Sequence, residues 1–349
     1  MTTLLSSRSW RVAVSVAVVA LLFAGGMVSG PYQTQIAVLA AIYVILASSL
    51  NLVLGYSGLL SLGHQAYFGL GAYVSAIAST ALGVPMVLAV VASAAVALVV
   101  AWMIGRVTLR LRAAFFVIAT FAVAEIFRQV ALNWVALTGG PMGYSDIPPI
   151  GLFGYELVRP KEIFPVVFAV ALLIVIAVAR LASSGLGYSL RGLAENENLA
   201  RAVGIDTSRH ATIAFSLSGA MAAVAGSLYA HTVGFVSPEV FGFAIMINTL
   251  LMVIGGGMGT VLGPVIGAVL FTQLPEMLRF SDEWRLVIYG LVLILLVRFM
   301  PRGLWGTAVH AMRQRGLTTA APSSRSPDEG SATTTPAAAD RKEADHGAS

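Results

Sequence analysis

Ten stretches of nearly continuous apolar residues run along the chain, at 11–29, 34–54, 64–82, 86–105, 113–138, 163–182, 210–230, 238–255, 259–277 and 284–300. A bilayer core of roughly 30 Å is crossed by about 20 apolar residues in a helix. The pattern therefore predicts an all-α integral membrane protein, a polytopic helical bundle of about ten spans. Several runs are short or interrupted by glycine, and eight spans with two re-entrant segments is the competing count. The first run follows Arg8 and Arg11, as a signal-peptide core would. No small-x-small cleavage site follows it, so it is read as the first span, within an N-terminal segment 1–33.

The basic residues orient these runs. With the N-terminus inside, thirteen arginines fall on inner segments: Arg8, Arg11, Arg106, Arg110, Arg112, Arg180, Arg191, Arg201, Arg209, Arg298, Arg302, Arg313 and Arg315. Four basic residues, Arg159, Lys161, Arg279 and Arg285, fall outside. Positive charge accumulates on the cytoplasmic side, so the expected topology is N-inside and C-inside with an even number of spans. The membrane core is bounded at 34–302. Two stretches do not read as spans. Residues 139–162 form a long outer loop rich in glycine and proline, and loops of that length are often functional. Residues 303–349 form a cytoplasmic tail. From 316 on it holds Ser, Thr, Ala, Pro and scattered charge, too little apolar surface to offset its ordering entropy, so it is read as disordered.

Composition agrees with a lipid solvent: 58% of the 349 residues are apolar and 11% charged, against about 25% charged in soluble domains. A soluble enzyme is excluded. The net charge of +5 belongs to the loops that set orientation rather than to a nucleic-acid surface. Cysteine is absent, which removes disulfides, thiolate chemistry and Cys-ligated metal. Neither a phosphate-binding Gly-x-x-x-x-Gly-Lys-Ser/Thr loop nor a metal-spaced cluster occurs, so no cofactor or metal is assigned to the chain and no ATPase site is found in it.

Three stretches carry candidate chemistry. The first runs from Gly55 to Tyr73 and contains Ser57, Gly58, Ser61, Gly63, His64 and Tyr67. Such a run either breaks a helix to line a passage or packs helices closely through small residues; both readings stand. His64 fits a structural donor better than a proton relay. Residues 50–63 are echoed at 250–263, where Leu50, Val53, Gly55, Leu62 and Gly63 recur identically, which brings Gly255, Gly256 and Gly259 into the candidate pathway. Duplicated halves with broken helices are common in transporters, although these two copies share one orientation in the ten-span count. The second stretch is the inner loop 183–209. Leu199 and Val203 share a helical face, Gly204 suits a helix end, and Asp206, Thr207 and Ser208 offer N-caps. One or two short surface helices suited to docking are expected there. The third is Glu125 with Arg128, at i and i+3 inside a span, where charges are expected to pair and face the bundle interior. They serve either as a substrate contact or as an orienting pair.

Taken in order, these motifs resemble the permease subunits of branched-chain amino-acid ABC importers, the LivM type in particular, over about residues 34–302. The resemblance rests on Gly55-Tyr56-Ser57-Gly58 through Gly69-Leu70-Gly71-Ala72-Tyr73, and on Glu125-Ile126-Phe127-Arg128 with Leu137-Thr138-Gly139-Gly140-Pro141-Met142-Gly143. It rests also on Arg191 through Ile205, and on Phe235-Val236-Ser237-Pro238-Glu239 with Gly255-Gly256-Gly257-Met258-Gly259-Thr260. It implies a pair of permease subunits, usually non-identical, two cytoplasmic ATPases that hydrolyse the ATP, an extracytoplasmic solute-binding protein and a bacterial inner membrane. Arg191, Glu195, Asn196, Glu197, Ala200, Arg201 and Gly204 would then form the ATPase-coupling loop. Thr138, Gly139 and Gly140 would lie outside, where the binding protein delivers substrate. Alternatives are urea or another small solute carried by the same family, and an ion-coupled transporter using Glu125 with His64.

Overall fold

The computed structural model describes residues 30–277 except 112, 153 and 154, together with residues 23, 25–27, 290 and 303–307. Most of the first and last apolar runs, at 11–29 and 284–300, and the tail from 308 onward lie outside the described residues.

Between these limits the chain is a bundle of helices. Helix α1 (Pro31–Ser57) starts at Pro31, whose fixed φ suits the first turn, and ends at Gly58 with φ +69°. Helix α2 (His64–Thr80) follows a six-residue break. Helix α3 (Met86–Thr108) is preceded by Pro85, and α4 (Ala113–Asn133) crosses back. After the outer loop come α6 (Pro160–Ala182), the inner pair α7 (Gly185–Glu195) and α8 (Glu197–Ala202), and α9 (Thr207–Val233). A second broken pair closes the core, α10 (Phe243–Gly256) and α11 (Leu262–Met277).

Five of these helices, α1, α3, α4, α6 and α9, are long and apolar enough to cross a membrane. The helices α2, α10 and α11 hold 17, 14 and 16 residues. Eight of the ten apolar runs are therefore helical among the described residues, three of them short. Helices α1 and α9 form the centre: α9 packs along α2 and α3, and α1 packs against α6, α9, α10 and α11. Packing through α9 is close because a methyl group at Gly226 would strike the Phe68 carbonyl, and one at Gly71 the Ala223 carbonyl. At the outer end, the Tyr32 hydroxyl donates to Glu276, joining the start of α1 to the end of α11.

The structure corrects several sequence boundaries. The run 113–138 is not one helix. It stops at Asn133, and Val135–Thr138 forms a separate turn, α5, because the Thr138 hydroxyl folds back on the carbonyls of Ala131 (2.7 Å) and Trp134 (2.9 Å). The run 238–255 opens as a tight 3-10 turn, Pro238–Phe241, and becomes α-helical at Phe243. The run 259–277 is helical from Leu262, where the Thr260 hydroxyl accepts from the Gly263 N–H at 3.0 Å. The outer loop carries a small antiparallel hairpin of β1 (Ile150–Leu152) and β2 (Tyr155–Leu157).

Candidate functional site

The two glycine-rich breaks, far apart in sequence, meet in space. Each follows the C-terminal end of a helix, α1 or α10, and precedes the next one. The Asn51 carboxamide, fully buried in α1, donates to the Thr260 carbonyl (2.8 Å) and accepts from the Gly259 N–H (2.9 Å). Gly259 sits at φ +69°, and a methyl group there would lie 2.9 Å from the Gly55 carbonyl. A methyl group at Gly55 would collide with the Gly259 nitrogen and the Asn51 amide. Gly303, from beyond the last apolar run, presses on Gly256 and Gly257.

The first break is pinned from other sides as well. The Leu62 N–H donates to the Thr120 hydroxyl of α4 at 3.1 Å, and Gly63 lies against the Thr120 carbonyl. His64 is buried, with Nε2 2.7 Å from Ser49 Oγ, and Tyr67 packs edge-on against Phe215. Ser57 bonds back to the Val53 carbonyl, and Ser61 is buried beside Gly63. Ser57, Gly58, Ser61, Gly63, His64 and Tyr67 thus gather around one break, and Gly255, Gly256 and Gly259 around the other. Of the glycines in this group, Gly58, Gly63, Gly256 and Gly259 are in close contacts.

Against the inner end of α1 sits the 183–209 loop as a helical elbow. Ala194 of α7 lies over Gly58, where a methyl group would approach it to 3.3 Å. The Arg191 guanidinium stands 5.4 Å above the Tyr56 ring and donates to the Ala182 carbonyl (3.0 Å), a favourable place for a cation at the end of α6. The Asn196 side chain caps α8 by accepting from the Leu199 N–H (3.0 Å), and Asp206 caps α9 through the Arg209 N–H (3.0 Å). Glu197 pairs with Arg201, whose Nε also reaches the Thr207 hydroxyl at 3.0 Å. Ala200 is buried beneath α8, Glu195 is exposed, and Gly204 ends the elbow at φ +86°. Tyr188, Leu199 and Val203 are each more than 60% exposed. Where one or two short inner helices were expected, the structure has two.

Glu125 and Arg128 pair as their spacing predicts, with Arg128 Nη2 2.8 Å and Nε 3.0 Å from the carboxylate and Gln129 adding a bond at 2.9 Å. The expected inward orientation is not found within this chain: the two side chains are 40% and 29% exposed. Among the described residues they are left partly exposed on α4, where Ile126 and Val130 are exposed too and Phe121, one turn before Glu125, packs edge-on against Phe243 of α10.

At the outer end, the Gly140 N–H donates to the Thr138 hydroxyl (3.2 Å), holding Thr138, Gly139 and Gly140 in a tight turn. Tyr144 pairs through its backbone with Val236, and its hydroxyl accepts from Thr80 at 3.0 Å. His231, buried in α9, donates from Nδ1 to the Pro148 carbonyl (2.8 Å) while Nε2 lies 2.9 Å from Ser75 Oγ. Asn51, Thr120, Thr260 and His231 were not singled out from sequence. A lone amide or hydroxyl inside an apolar run is costly unless partnered, and that was the readable signal for Asn51 and Thr120.

A family model described as the permease component of branched-chain amino acid transport systems matches residues 32–297. The LivM permease protein of the high-affinity branched-chain amino acid transport system of Salmonella typhimurium is 33% identical over 295 residues, covering 78% of this chain and 69% of its own. Its Escherichia coli counterpart is 33% identical over 293 residues, covering 77% and 69%. The LivH permease protein of Escherichia coli is 30% identical over 292 residues, covering 77% and 92%. No solved structure matches the chain.

Proposed function

Because the chain belongs to the permease-component family of branched-chain amino acid transport systems, we propose that it is the membrane-spanning subunit of an ATP-driven importer. It carries branched-chain or other hydrophobic amino acids across the inner membrane of a bacterium by alternating access. The observation that carries this reading is the elbow. Three apolar residues of the elbow, Tyr188, Leu199 and Val203, are exposed, while the same elbow meets the inner end of α1 through Ala194 and Arg191. A motor docked on those three residues acts on a helix at the centre of the bundle.

The partners follow from this role: two cytoplasmic ATPases on the elbow of this subunit and of its mate, a second permease subunit, and an extracytoplasmic binding protein at the Thr138–Gly140 turn. This chain supplies no nucleotide site of its own. The partly exposed stretch of α4 bearing Glu125 and Arg128 is assigned to the second subunit and the passage between them. Charges at membrane depth cost about 2.5–3.5 kcal/mol each on insertion scales and nearly always face protein or water rather than lipid. A zwitterion with an apolar side chain suits a path that offers one charge pair and many small or apolar groups, weak enough to release what it binds. The ion-coupled alternative lacks support, since His64 is taken up by Ser49 and no contact joins it to Glu125 among the described residues.

Co-purification tests the docking. The chain, co-expressed with its partner permease and ATPases, is expected to retain the ATPases, and Leu199→Glu with Val203→Glu to lose them without loss of the folded chain. Full ATPase retention by the double variant would contradict the reading.

A further inference from the structure

Asn51 is the residue through which the two broken helix pairs are tied, and its bonds differ from ordinary helix packing. Both polar ends of one fully buried side chain are spent on the backbone of a loop more than two hundred residues away, the donor on the Thr260 carbonyl and the acceptor on the Gly259 N–H. In this way the amide satisfies a loop carbonyl and a loop N–H at a point where the chain has left helical geometry, and such groups must find partners inside a membrane protein. Gly55, one turn further along α1, is shaped to admit that loop, since any side chain there would strike Gly259 and the Asn51 amide itself. Immediately beyond, Tyr56 and Gly58 meet Arg191 and Ala194 of the elbow. A continuous line of contacts therefore runs from the elbow to the inner end of α1, and through Asn51 to the 257–261 break.

We propose that Asn51 is a positioning residue for transport: its carboxamide latches the α10–α11 break to the inner end of α1, so that both breaks move as one body when the elbow is displaced. The inference rests on the importer reading for its transport consequence, while the latch itself is a property of this chain. Asn51→Leu keeps the volume and removes both bonds, and Asn51→Asp keeps the acceptor and removes the donor. The first strands both loop groups, and the second strands the Thr260 carbonyl alone.

The chain has no cysteine, so Leu60→Cys and Met258→Cys, both exposed positions, give a clean pair of spin-label sites, one on each break. In the full transporter in nanodiscs, the label separation is expected to be narrow and equal with and without ATP when Asn51 is present, and to broaden or become nucleotide-dependent in Asn51→Leu. In parallel, uptake per ATP hydrolysed is expected to fall roughly tenfold in Asn51→Leu, the order set by stranding a buried hydrogen-bonding group, while the ATPase rate stays near that of the parent. Labels that move apart with ATP when Asn51 is intact would overturn the latch, as would an unchanged distribution in Asn51→Leu. Uptake and ATPase activity lost in step in both Asn51 variants would likewise overturn it. If the importer reading itself is wrong, no label pair responds to ATP, and the width of the distribution in the chain alone, narrow with Asn51 and broad in Asn51→Leu, still decides the latch.

Discussion

At the scale of single residues, the glycines of the first chemical stretch admit close neighbours, backbone at Gly55, Gly63 and Gly71 and an aromatic ring at Gly69. Gly55, Gly63, Gly69 and Gly71 each lie where a methyl group would meet Gly259, Thr120, Phe241 or Ala223. In lipid no hydrophobic force drives helices together, so approach of this kind, allowed by small residues, supplies the van der Waals attraction. Gly226 is the strictest case because its neighbour is the Phe68 carbonyl, which cannot rotate aside. Gly226→Val is expected to destabilise the folded chain by about 3 kcal/mol through overpacking, seen as a lower unfolding midpoint in a thermal scan in detergent; an unchanged midpoint would refute the assignment. The pattern of small residues was legible in the sequence, but the choice between packing and passage was not. Periodicity says which residues are small and is silent on what stands opposite them. Asn51 was hidden for a related reason, since its partners are backbone atoms of a loop 208 and 209 positions away.

At the scale of elements, the long helices were readable because twenty apolar residues admit little else in a membrane. The errors lie at helix ends, where a single side chain decides the outcome: Thr138 turns the chain after Asn133, Pro238 opens a 3-10 turn, and Thr260 sets the start of α11. The inner elbow was readable because capping is local: Asp206 caps α9 as its position suggested, while the cap on α8, Asn196, emerges only in the structure. Helix α4 invites a test of its own. If its charged face meets a partner subunit or a watered passage, then breaking the pair is worse than deleting it, because one partner removed leaves an uncompensated charge. Glu125→Gln alone is expected to lower the yield of assembled permease pair more than Glu125→Gln with Arg128→Gln does, measured by size-exclusion chromatography of the co-expressed subunits. Equal losses from the single and the double variant would count against that orientation.

At the scale of the molecule, the sequence could not separate inside from outside. Helices α1 and α3 are comparably apolar, yet 83% of the most apolar stretch of α1 is buried, against 22% for α3. Lipid and protein interior select the same side chains, so hydropathy is blind to the difference. What divides the two is charge: α3 exposes Val87, Leu88, Val91, Val99, Trp102 and Met103, as a lipid contact should, whereas α4 exposes Phe115, Ile118 and Ile126 together with the partly exposed pair Glu125 and Arg128. On the proposed importer reading the fold is one half of a larger object, with an apolar rim for lipid, a mixed face for its mate and an elbow for a motor. The most direct test is uptake of radiolabelled leucine into proteoliposomes holding the purified permease pair, the ATPases and an external binding protein. Accumulation is expected only with ATP on the ATPase side and is expected to vanish when the ATPases are left out. Accumulation by this chain under an ion gradient alone, with no ATPase present, would contradict the account.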